Sequence, residues 1–155
     1  MFRIHALPLA PFAPLFQLDD QALAKRGARR VVADASPGFP CRVSLHDAAI
    51  GESLILVHHV HHPVEGPYRA SGPLFVREAA AQAIPAEDEV PALFRHRLLS
   101  LRGYGQDGAH MHDARVVEGR ALRDSIMAML EDPRIDHVHL HYAGPGCYAA
   151  QARRT

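Results

Sequence analysis

Leu98-Leu99-Ser100-Leu101-Arg102-Gly103-Tyr104, Gly105-Gln106-Asp107-Gly108 and, after Ala109, His110-Met111-His112-Asp113-Ala114-Arg115-Val116-Val117 read as two alternating segments around a turn. Alternation at period two marks half-buried strands, and Asp-Gly between two such segments is a strong hairpin signal. The period then changes over residues 119–130. Leu122, Ile126, Met129 and Leu130 fall on one helical face, and Pro133 prevents the helix from continuing. Residues 135–142 return to strand alternation and close at Gly144-Pro145-Gly146. A hairpin, a helix and a further strand in succession predict an antiparallel sheet with a helix on one face.

The N-terminal half supplies the other elements. Residues 2–7 alternate as a strand, Asp19 is placed to cap a short helix through Leu23, and Gly27 to end it. Residues 29–34 and 41–45 read as strands on either side of the Pro37-Gly38-Phe39-Pro40 turn. Residues 53–61, rich in Leu, Ile and Val, form a stronger strand signal. A loop between Pro67 and Pro73 leads into a short strand at 74–76. Residues 79–89 suggest a short helix and a surface loop, and Pro91 can open a brief helix through Arg95. The expected fold class is α+β: a mainly antiparallel sheet of six or seven strands with two or three helices packed on it, in a single domain over residues 1–155.

The chain has 155 residues, 48% of them hydrophobic, enough to bury one core. Its 17 basic and 17 acidic residues balance, which argues against nucleic acid or an acidic membrane as partner. No apolar run approaches the ~20 residues of a membrane helix, and the N-terminus lacks the pattern of a signal peptide. The expectation is therefore a cytoplasmic protein with Cys41 and Cys147 as reduced thiols.

Twelve histidines are many for this length. In His137-Val138-His139-Leu140-His141, strand alternation puts all three imidazoles on one face. Gly146 and Cys147 follow after a tight turn, so His139, His141 and Cys147 form a candidate zinc-ligand set. The competing reading is a strand with one polar face. In His58-His59-Val60-His61-His62, parity puts His58 and His62 on one side and His59 and His61 on the other. At most two of these four can join one site. Cys147 also admits a nucleophile's role with His139 as its base, against the commoner role of a cysteine as a small buried hydrophobe. Arg69 and Arg77, around an expected Ser71-Gly72 loop, with Arg102 in the hairpin strand, could bind an anion. The alternative is that Arg77 pairs with Glu78 or Glu52.

Pro37-Gly38-Phe39-Pro40-Cys41-Arg42, Asp47-Ala48, Gly51-Glu52, Pro67-Tyr68-Arg69, Ser71-Gly72-Pro73, Phe75-Val76-Arg77-Glu78, Leu99-Ser100-Leu101-Arg102, His139-x-His141 and Pro145-Gly146-Cys147 together resemble the bacterial domain-of-unknown-function family 1203. The resemblance spans nearly the whole chain and implies a single-domain bacterial protein, with no activity attached. It directs attention to His61, His139, His141, Cys41 and Cys147. His58, His59, His62 and His137 look like additions of this chain.

Three functions remain in contention. One is an enzyme or small-molecule-binding protein, with an anionic ligand held by Arg69, Arg77, Arg102, His61 and His141 near the Pro-Gly-Cys turn. Another is a zinc module of His139, His141 and Cys147. The third is a non-catalytic interaction domain.

Overall fold

The computed structural model describes all 155 residues. Eight strands form two antiparallel sheets, of five and three strands, with three helices. The chain divides into two compact units: Met1–His5, Val60–Ser71 and Ile84–Thr155 form the larger, and Ala6–His59 and Gly72–Ala83 the smaller.

The larger unit is built on the hairpin of β5 (Leu98–Tyr104) and β6 (Met111–Glu118), as the alternation and the Asp-Gly turn predict. A 3₁₀ turn at Gly119–Ala121 leads into α3 (Leu122–Leu130), which buries Leu122, Ile126, Met129 and Leu130. Next come β7 (His137–Tyr142) and β8 (Tyr148–Arg154). With β1 (Phe2–His5), the order is β1-β8-β7-β5-β6. α2 (Ala92–Arg95) precedes β5.

β8 departs from the sequence reading, in which β7 was the last strand. Tyr-Ala-Ala-Gln-Ala-Arg-Arg carries no β-branched residue, so its local preference is not for strand. It becomes one because β1 and β7 pair with it on both edges.

Register sorts the side chains of this sheet into two faces. Leu99, Leu101 and Gly103 stand opposite Tyr142, Leu140 and Val138, and the last two of these stand opposite Ala150 and Ala152. α3 packs against β5 to β8, and Ile135 and Met129 lie over Gly103. The other face carries Ser100, Arg102 and Tyr104 opposite His141, His139 and His137. All six residues of β7 are buried, so neither of its faces is solvated.

In the smaller unit, Asp19 caps α1 (Asp20–Lys25) by accepting from the Ala22 N–H at 2.8 Å. Gly27 follows at φ 64°, a left-handed turn open to glycine at little cost. β2 (Ala28–Val32), β3 (Ser53–His62) and β4 (Ala70–Arg77) form the three-stranded sheet in that order, and Val60–His62 of β3 belong to the larger unit. Leu23, Cys41, Val43, Ile55, Val57, Leu74 and Val76 are buried in one apolar core.

Three segments differ from what their local patterns predict. Residues 41–45 form a turn: Leu45 N–H donates to the Cys41 carbonyl at 3.1 Å, and Leu45 has φ 51°. All five residues are buried, Arg42 and Ser44 included, so the apolar alternation of Cys41, Val43 and Leu45 is not matched by an alternation of burial. Residues 79–89 contain no helix. Ser71-Gly72 lie inside β4, so they are no loop; β4 is at the edge of its sheet, where a strand tolerates a proline such as Pro73. No helix is long and apolar enough to cross a membrane.

Candidate metal centre

β7 sets the site. Its alternation carries His137, His139 and His141 on the face away from α3, and the tail of β3 brings His61 and His62 to them. His62, His137, His139 and His141 retain only 3%, 5%, 2% and 1% of their exposure. His62, His137 and His139 can each offer one ring nitrogen such that the three lie within 4.8 Å of one another. Their ring centroids are 4.7 Å (His62–His139), 5.1 Å (His137–His139) and 6.0 Å (His62–His137) apart. Three imidazoles bound tetrahedrally at 2.0–2.1 Å would have centroids about 5.2 Å apart and nitrogens about 3.3 Å apart. The three centroid distances straddle this spacing, and the ring nitrogens, within 4.8 Å of one another, stand farther apart than in a metal-bound trio.

Hydrogen bonds at the rim select the tautomers. A carboxylate and a carbonyl can only accept, so the partnered ring nitrogen must carry the proton. His137 Nδ1 donates to the Asp136 carboxylate at 3.0 Å, which leaves its Nε2 lone pair available. His62 Nε2 donates to the Gly108 carbonyl at 2.8 Å, which leaves Nδ1. A carboxylate or carbonyl behind a histidine is the usual support of a metal-ligating imidazole. His139 Nδ1 is buried without a hydrogen-bond partner. Gly108 has φ 65°, and a Cβ there would come within 2.6 Å of Val64 and 3.0 Å of the His62 ring. The hairpin turn thus needs glycine for its conformation and for its approach to His62.

Electrostatics favour neutral rings, as metal ligation requires. Burial, then the charge of neighbouring His137, would push His139 down to about 2. Burial also lowers His141 to about 4, opposed by its Nδ1–H bond to the Gly146 carbonyl at 3.0 Å. Burial lowers His137, against the pull of Asp136. Tyr104 covers the three rings at 4.4, 5.7 and 5.1 Å from His62, His137 and His139, and burial pushes its phenol up.

The structure brings His61, His139, His141 and Arg102 onto one face. Cys147 is not in the converging trio, and the turn before it returns the Gly146 carbonyl to the His141 ring. Arg69 is exposed in the loop after β3. Arg77 is held in the smaller unit by Glu52, at 2.9 and 2.6 Å, and by Ser44 Oγ at 3.3 Å. Cys41 is fully buried there, its sulfur accepting from the Ser44 and Arg77 N–H groups. His62 and His137, set aside in the sequence reading, and Tyr104 belong to the centre. The face shared by His137 and His139 was visible in the strand pattern; the arrival of His62 had no local signal.

Residues 38–154 match the model of the family described as protein of unknown function (DUF1203), and the chain belongs to that family. No curated protein and no solved structure matches it.

Proposed function

We propose that this DUF1203 protein binds a divalent transition-metal ion of the zinc and copper class in a closed centre of His62, His137 and His139. The observation that carries this reading is the convergence of three buried imidazoles, with His139 Nδ1 left without a partner. A buried polar nitrogen without a hydrogen bond is unfavourable by ~1–3 kcal/mol, and a coordinate bond would remove that penalty. Imidazole donors suit zinc, copper and nickel rather than magnesium or calcium, which take oxygen ligands. The burial of all three rings argues for a metal that stabilises the fold rather than one that meets a large substrate. A bacterial cytoplasm is the proposed setting, consistent with Cys41 and Cys147 outside any disulfide.

The test is thermal melting of chelator-treated protein with and without zinc. A hundredfold excess over Kd stabilises by ~2.7 kcal/mol, or roughly 5–11 °C for a chain of this size. His62→Ala and His137→Ala should each reduce bound zinc and shrink the shift. Absence of retained zinc and of any shift in the wild-type protein would refute the reading.

A further inference from the structure

The cluster has two lobes, and the centre proposed above uses one of them. His139 lies between. On one side are His62, His137 and Tyr104. On the other are His61, His141 and Tyr148, whose ring stands 5.0, 5.8 and 5.2 Å from His61, His141 and His139. Each lobe therefore holds one histidine from the tail of β3, one flanking histidine of β7 and one tyrosine. The division follows from strand alternation, which sends adjacent His61 and His62 to opposite sides of β3.

A bulge completes the second lobe. Leu140 pairs with Ala150, but His141 pairs with Tyr148, so Ala149 is the extra residue. In unbroken register Ala149 would stand opposite His141, and Tyr148 would face α3. The bulge turns Tyr148 onto the imidazole face, the kind of re-aiming that bulges perform.

We propose that the centre is binuclear, with a second divalent ion bound between His61 and His141 on the other side of His139. This rests on the three-histidine reading above. His61 and His141 have ring centroids 5.3 Å apart, against the ~5.2 Å of two tetrahedral imidazole ligands. His141 is nine-tenths buried and more; its Nδ1–H is committed to the Gly146 carbonyl, and its Nε2 is buried without a partner. His139 is farther, at 6.1 and 6.3 Å from His141 and His61. The second ion thus has two close imidazoles, with His139 behind them.

Zinc is measured by elemental analysis after equilibrium dialysis of the wild-type chain, His137→Ala, His141→Ala and His112→Ala. The expected result is two equivalents in the wild type and in His112→Ala, and one in each of the other two. One wild-type equivalent, lost in His137→Ala and kept in His141→Ala, would leave the first centre standing and overturn the second. A second equivalent lost only in His112→Ala would place it at the exposed His110–His112 pair and also overturn the proposal. No zinc in the wild type would remove both readings. Should a variant fail to fold, copper(II) titration of the unaltered protein decides by electron paramagnetic resonance. Two copper ions in adjacent lobes of one cluster interact through space, so the second equivalent should broaden the isolated-ion signal. An undisturbed isolated-ion spectrum through saturation would overturn the binuclear centre.

Discussion

Acidification of the metal-free protein should destabilise it, and the buried imidazoles fix the size of the effect. In the unfolded chain a histidine titrates near ~6.5. In the fold, burial holds His139 at about 2 and His141 at about 4, so both remain neutral at pH 5.5. The unfolded chain then takes up protons that the fold excludes. Stability from these groups is therefore full above pH ~6.5 and is lost as pH falls below it. Between pH 7.5 and 5.5 one such group contributes ~1.4 kcal/mol of destabilisation, and two contribute about 2.7 kcal/mol. That corresponds to a fall of roughly 5–11 °C in Tm. The loss continues below pH 5.5, and the His141 share levels off near its folded value of about 4. The assay is calorimetry in chelator at pH 7.5, 6.5 and 5.5, for wild type and for His139→Gln/His141→Gln. The double variant should lose most of the dependence. A wild-type Tm constant across this range, or an equal fall in both proteins, would refute the reasoning.

Two further outcomes follow from the rim of the centre. Asp136→Asn replaces the carboxylate that accepts from His137 Nδ1; zinc affinity should drop ~10–100-fold, read by competition with a chromophoric chelator, with the fold retained. Gly108→Ala forces a Cβ against Val64 and His62 at φ 65°; denaturant unfolding should show a loss of about 1–3 kcal/mol together with weaker zinc binding, whereas unchanged binding would separate the turn from the site.

Elements whose signals are local are legible in the chain. The Asp-Gly hairpin, the face of α3 and the alternation of His137, His139 and His141 depend on neighbours within one turn or one strand, so pattern alone specifies them. Likewise parity already separated His61 from His62. Tertiary structure decided what depends on distant partners. β8 is a strand because two other strands claim its edges, against its own alanine-rich preference. The 41–45 segment is a turn, with Leu45 N–H on the Cys41 carbonyl and the backbone reversed at Leu45, and it buries all five residues rather than one parity. The proximity of His62 to His137 and His139 follows from where the β3 tail runs. A ligand set is a meeting of side chains from separate strands, here β3 and β7 of different sheets, so no local pattern or ladder register specifies it.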